Sequence, residues 1–269
     1  MAEKKKTPVG IRAAYIGGAA LIIATVLGAT LPPFVQRWLD NPTEKSEPEE
    51  SVFVDPVMEY FPLFVGSTRT YTVGNSSPKT DGTEGLIEYI STYTEKVLFV
   101  ESGLYEKIRI YKVEQTGEIY DLDCTTWETR QGPANKWYIT FENKLYTACS
   151  EDVKIFILQS IYEELTSPDT AKKITPNIIF PLEEGISWGA ITEQSEGNMY
   201  KYYVETKTNV STPAGSFTDC YKTVFYTAGD SSIRYVCPGV GDVALEYHHY
   251  GNPINYRVEL QSYSNEVNK

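Results

Sequence analysis

The sequence predicts a mainly β protein of the α+β class. The expected architecture is a curved antiparallel sheet built from two repeated β units, with one linking amphipathic helix and an N-terminal transmembrane helix. Three observations predict it: an uncharged apolar run at Ala13–Leu31, many short alternating segments rich in Tyr (21 copies) and Thr, and an internal repeat. Tyr and Thr suit a pleated, half-buried strand surface better than a helix.

The apolar run comes first. It is long enough to cross a hydrocarbon core, which takes roughly 20 residues at about 1.5 Å each. Lys4, Lys5, Lys6 and Arg12 precede it, and basic residues stay on the cytoplasmic side. An uncleaved signal anchor is therefore expected, with residues 1–12 as a cytoplasmic tail and 13–31 in the lipid bilayer. Everything after Leu31 is expected outside the plasma membrane, in a single-pass arrangement. A cleaved secretory signal is the alternative, but its apolar region is normally shorter and ends in a small-x-small site. Gly28-Ala29-Thr30 matches that site poorly, because Leu27 would stand three residues before the cut. A buried helix of a soluble domain fits least, since such helices are usually amphipathic. Ala20, Ala24 and Gly28 form a row of small residues along which a second helix could approach.

The charge agrees with export. The chain carries −12 in all; residues 1–37 hold five basic side chains against one acidic, a net +4, so the remainder carries −16. Such a domain repels nucleic acid and anionic headgroups, and neither is an expected partner. Residues 32–51, acidic and Pro-containing, are expected to be a disordered spacer.

The folded part divides at a repeat: a first β unit over 52–149, a linking helix over 150–166 and a second unit over 167–264. Phe61-Pro62-Leu63-x-x-Gly66 recurs as Phe180-Pro181-Leu182-x-x-Gly185. Arg69 and Trp188 follow the glycines at equal spacing, and Tyr89 and Tyr202 stand in similar places further on. Segments 108–113, 137–141, 202–204 and 243–247 read as strands. So does 254–260, with Ile254, Tyr256, Val258 and Leu260 inward and Asn255, Arg257, Glu259 and Gln261 wet. Thr212-Pro213-Ala214-Gly215 suits a type I turn. Ser150 is a good N-cap, Glu151 and Asp152 favour the helix dipole, and Val153, Phe156, Ile157, Ile161 and Leu165 form the expected buried face.

Cys124, Cys149, Cys220 and Cys237 all follow the apolar run. An even count in an oxidising compartment reads as two disulfides. The local pairing, 124 with 149 and 220 with 237, is favoured among three connectivities, because the second pair flanks a hairpin over 221–235 turning at 228–231. Zinc would want close C-x-x-C pairs, and none occurs.

Phe-Pro-Leu-x-x-Gly-x-x-Trp at 180–188, Thr-Pro-Ala-Gly-x-Phe at 212–217 and Pro-Gly-Val-Gly at 238–241 resemble a module of exported, β-rich bacterial proteins, often lipoproteins or anchored proteins, that lack an assigned function. The resemblance covers about 60–250, and the first copy departs from it at Arg69. It implies a fold and no activity, so no site residues carry over. The half-barrel of bacterial lipoprotein carriers is a distant structural analogy.

No catalytic constellation stands out. Gly185-Ile186-Ser187-Trp188-Gly189 has the form of a nucleophile elbow, and Asp219 or Asp242 and then His248 or His249 follow in hydrolase order. An elbow needs a helix directly after it, and 190–197 has no amphipathic pattern. Adjacent strand histidines point to opposite faces, so His248 and His249 cannot easily share a metal; Glu246 and His248 could, given a third ligand. Asp121 with Asp123 and Glu183 with Glu184 read as solvated carboxylates. Asn75-Ser76-Ser77 and Asn209-Val210-Ser211 fit a glycosylation pattern that matters only in a eukaryote. The expected protein is thus a non-enzymatic, anchored extracytoplasmic domain with a binding or structural role, using no cofactor or metal. Its expected partner is an envelope protein, a glycan or an apolar small molecule. The alternatives are a carrier of an apolar ligand or lipid in a half-barrel cavity and, third, a serine hydrolase using Ser187.

Overall fold

The computed structural model describes residues 55–76, 88–102, 107–119, 130–167, 174–189, 199–249 and 255–265. The expected membrane segment 13–31, the spacer 32–51, Asp121, Asp123 and Cys124 lie outside these residues. No described helix is long and apolar enough to cross a membrane.

Among the described residues thirteen strands and two helices follow in order: α1 (Pro56–Tyr60), β1 (Thr68–Ser76), β2 (Glu88–Ser102), β3 (Ile108–Ile119), β4 (Arg130–Gln131), β5 (Ala134–Phe141), β6 (Lys144–Ala148), α2 (Glu151–Thr166), β7 (Ile178–Ile179), β8 (Ser187–Trp188), β9 (Tyr202–Thr212), β10 (Gly215–Tyr226), β11 (Asp230–Cys237), β12 (Gly241–His249) and β13 (Asn255–Ser264). Twelve of them form one antiparallel path, β7-β6-β5-β3-β2-β1-β13-β12-β11-β10-β9-β8, and β4 pairs with β3 beside it.

This order is two meanders of six strands laid end to end, sharing one sheet. β1 pairs with β13 over nine residue pairs, from Thr68 opposite Ser264 to Ser76 opposite Asn255. The sheet's two free edges, β7 and β8, are consecutive in the chain and are bridged by a side chain: Trp188 Nε1 donates to the Pro176 carbonyl at 3.0 Å. The sheet is therefore nearly closed and barrel-like, rather than the open half-barrel of the analogy. α2, within the 150–166 expected for the linking helix, joins β6 to β7.

The repeated turns have the same build. Gly66 and Gly185 adopt φ of +91° and +85°, which glycine reaches without a Cβ clash. Gly66 N–H donates to Val97 O at 2.8 Å and Gly185 N–H to Val204 O at 2.9 Å. These bonds make Val97 the counterpart of Val204, so Tyr202 corresponds to Glu95 and not to Tyr89. Phe61, Leu63, Phe180 and Leu182 are all buried in one apolar cluster with Val57 and Tyr60 of α1. The rings of Phe61 and Phe180 meet edge-on at 6.2 Å. Asp55 caps α1 by accepting from Val57 N–H at 2.9 Å, and its other oxygen accepts from Thr140 Oγ1 at 3.2 Å.

Ser150 caps α2, its hydroxyl accepting from Val153 N–H at 3.2 Å. The buried face is Lys154, Ile157, Leu158, Ser160 and Ile161, so Val153, Phe156 and Leu165 of the expected face are only partly covered. Lys154 belongs to that face because its head is partnered: its Nζ stands 5.3 Å from the centre of the Trp137 ring, and Glu151 pairs with it. In β13 the expected wet face is also corrected. Glu259 is buried, held by Arg257 Nε at 2.8 Å. The hairpin over 221–235 forms in register, Tyr221 opposite Val236 and Tyr226 opposite Ser231.

Candidate functional site

A polar row crosses one face of the first meander. Arg69 on β1 stands opposite Glu95 on β2, and Glu95 opposite Gln115 on β3. Lys136 on β5 pairs with Val113, one step diagonal to Gln115. Arg69, Glu95 and Lys136 are each 3% exposed, and Gln115 is fully covered. Along β2, Glu95 alternates with Tyr93 and Val97, which belong to two different apolar clusters. The row thus separates the two.

Burying a carboxylate is costly unless it is paired and hydrogen-bonded. Glu95 meets that demand completely. Its Oε1 accepts from Gln115 Nε2 at 3.0 Å and Lys136 Nζ at 3.2 Å, and its Oε2 accepts from Tyr138 Oη at 3.2 Å. Burial, followed by the Glu95 charge, holds the Tyr138 phenol well above the usual tyrosine range. The same two causes, in the same order, raise Tyr71, whose Oη donates to the Asp242 carbonyl at 3.2 Å. Arg234 Nε stands 3.2 Å from Asp242 Oδ1. Arg69 donates to Val240 O at 3.0 Å and Pro62 O at 3.2 Å. Both oxygens of Glu95 are thus engaged by side chains of β3 and β5.

The second meander shows what the row replaces. At the positions of Arg69 and Glu95 it has Trp188 and Tyr202, stacked with ring centroids 5.5 Å apart. In both copies the residue after the turn sends a side-chain N–H to a distant backbone carbonyl, Arg69 to Val240 and Trp188 to Pro176. Arg69 was the one visible departure of copy one from the repeat. Its meaning rested on Glu95, 26 residues away and aligned only through the turn bonds.

The residues singled out from sequence are scattered. Ser187 is exposed on edge strand β8, paired in register with Tyr203. His248 is on β12, four strands away along the path, and its Nε2 lies 3.3 Å from Glu246 Oε2. Glu246 also meets Arg257 Nη1 at 3.1 Å. Desolvation works against ionisation of Glu246, yet His248 and Arg257 outweigh it and hold its carboxyl below the usual range. His249 sits across from Asp230, which also accepts from Tyr247 Oη at 2.6 Å. Asp219 pairs with Lys207 at the surface. Glu184 accepts from Lys207 N–H at 2.6 Å, and Glu183 is exposed. Among the described residues no group of three metal-ligating side chains comes together. Cys220 and Cys237 form a disulfide between β10 and β11. Cys149 is disulfide-bonded as well.

No family model and no curated protein matches the sequence. Among solved structures, the chain is similar to a candidate exported protein with a YmcC-like fold from Bacteroides fragilis, at 13% identity and a TM-score of 0.41, covering 76% of this chain and 98% of that one. It is also similar to a candidate lipoprotein from Parabacteroides distasonis, at 12% identity and a TM-score of 0.39, with the same coverages of 76% and 98%. The MucA/MucB complex of Pseudomonas aeruginosa matches at 6% identity and a TM-score of 0.28, over 74% of this chain and 51% of that one. Likeness at this level assigns neither an activity nor a ligand to this chain.

Proposed function

We propose that this chain is a membrane-tethered, extracytoplasmic β domain that binds a partner at the cell envelope and catalyses no reaction. The observation that carries the non-catalytic part is the separation of Ser187 from His248. Four strand steps put them roughly 19 Å apart along the sheet, at about 4.8 Å per strand, far beyond hydrogen-bond reach. The tether rests on the apolar run at 13–31 and its basic flank. Export is supported by the net −16 beyond residue 37 and by the Cys220–Cys237 disulfide, with no free cysteine among the described residues. Surface binding is favoured over carriage of an apolar ligand because Phe61, Tyr138, Phe180 and Trp188 occupy the same buried cluster themselves.

Three measurements on the full chain test the reading. Protease added to intact cells should reach the part beyond residue 40; complete protection would overturn the orientation. Purified protein should turn over no ester, peptide or glycoside substrate. Turnover abolished by Ser187→Ala would establish the hydrolase instead. Native mass spectrometry should give the bare chain, whereas a dissociating small-molecule excess would establish the carrier.

A further inference from the structure

The large hydrophobic side chains that the described surface exposes are gathered at one end of the sheet. Phe64 is 41% exposed, Val65 49%, Phe99 39%, Val100 37% and Tyr263 40%. Gly66 N–H donates to Val97 O at 2.8 Å and Val97 N–H to Ser67 O at 3.0 Å. Phe64-Val65 and Phe99-Val100 therefore flank the same antiparallel contact, just before β1 begins. Tyr263 stands opposite Arg69, one pair from the end of β13. The other end carries the Tyr226–Asp230 turn and the pairing of Ser76 with Asn255. None of these exposed hydrophobics lies there.

We propose that this end is a lipid-docking surface, pressed onto the bilayer that holds the tether. The inference rests on the anchored reading above and specifies which face of the domain meets the membrane. Three observations choose lipid as the occupant. First, the described residues begin at this end. Glu59 of α1 accepts from Gly239 N–H at 2.7 Å, and Asn265, just beyond β13, donates to Gly239 O at 3.0 Å. The polypeptide reaches Phe64 nine residues after Asp55. Second, only 23 residues, 32–54, separate the apolar run from Asp55, so in the anchored reading a patch beside Asp55 is never many residues of chain from the bilayer. Third, the local charge departs from that of the domain. Residues 96–114 carry four basic side chains against three acidic, in a region that totals −16. Lys112 Nζ stands 5.5 Å from the centre of the exposed Phe99 ring. An aromatic ring entering the headgroup layer with an ammonium carried to phosphate level is the chemistry of an interfacial anchor.

The test uses the full chain in vesicles of phosphatidylethanolamine and phosphatidylglycerol with brominated acyl chains. Val65→Trp places a reporter in the patch, and Ala228→Trp places one in the exposed turn at the far end. Docking predicts about two-fold or greater extra quenching for Val65→Trp over the parent chain, and none for Ala228→Trp. Adding Phe64→Asp and Phe99→Asp should return the Val65→Trp signal to the Ala228→Trp level while the disulfides and circular dichroism stay unchanged. If the chain survives a high-salt wash with the vesicles but both reporters respond alike, docking is overturned and the tether stands. If the chain leaves the vesicles in that wash, tether and docking fall together.

Discussion

Lys136→Met is the most decisive perturbation of the fold. The substitution keeps a long apolar stem but removes the ammonium 3.2 Å from Glu95 Oε1. The carboxylate would remain 3% exposed, held only by Gln115 and Tyr138. Breaking a buried pair from one side costs about 3–5 kcal/mol. Loss of the ammonium over the Tyr138 ring, 5.0 Å away, adds about 1 kcal/mol. The expected loss is therefore about 4–5 kcal/mol. Urea unfolding of the oxidised chain, followed by intrinsic fluorescence, gives the number. Lys136→Met with Glu95→Gln should cost much less than the two single losses added together, because both buried charges go at once. A deficit under about 1 kcal/mol, or a double variant that costs the full sum, would show that water reaches Glu95 and that the row is not a sealed charge cluster.

Removing the Cys220–Cys237 bond with a double alanine variant opens a loop of 17 residues, and the chain-entropy argument gives a loss of about 3 kcal/mol; a urea-unfolding difference under about 0.5 kcal/mol would contradict it. Tyr71, Tyr138, Tyr146 and Tyr247 all have phenols raised chiefly by burial. Their contribution is complete below the unfolded tyrosine pKa, about 10, and is lost as pH rises further, so absorbance at about 295 nm should show a late subset ionising only with alkaline unfolding. Smooth titration of all 21 tyrosines at one pKa would refute this. Glu246 runs the other way: its carboxyl is lowered, so its stabilisation is present above the unfolded value and lost as pH falls through the lower folded one. Arg257→Met should therefore destabilise at pH 7 and converge on the parent in strong acid, and a pH-independent gap would argue against the pairing. Gly241→Ala should cost about 2 kcal/mol or more, since φ there is +93° and the new Cβ would stand 2.9 Å from Phe61 Cδ1. Gly215→Ala, at φ +139° with nothing within 4 Å, should cost only the backbone share; equal losses would mean that Phe61 yields.

Much of the local structure was legible because its causes are local. Ser150 caps α2 through a bond three residues away, and Thr212-Pro213-Ala214-Gly215 turns the β9–β10 hairpin where its Pro and Gly require. The repeated Phe-Pro-Leu-x-x-Gly turns could be matched because a glycine in a left-handed conformation leaves a trace in the sequence. Burial was less legible. Glu259 alternates with Val258 and Leu260 as a wet residue should, yet β1, β12 and Arg257 enclose it. Lys154 sits where a helix surface is expected and is covered because Trp137 and Glu151 accept its head. A charged residue reads as exposed until its distant partner is known.

By itself the sequence determined a β-rich chain with an apolar N-terminal run, two copies of one turn and a helix start at Ser150, since each depends on neighbours within about one turn of chain. Only the tertiary structure decided that the copies close into one sheet through β1 and β13, and that Arg69 answers to Glu95 where Trp188 answers to Tyr202. It likewise decided that the exposed large hydrophobics of the described surface collect at the end of the sheet where β1 begins. Those outcomes depend on strand register between residues tens to hundreds of positions apart, and register is set by the sum of many weak cross-strand contacts that no local pattern records.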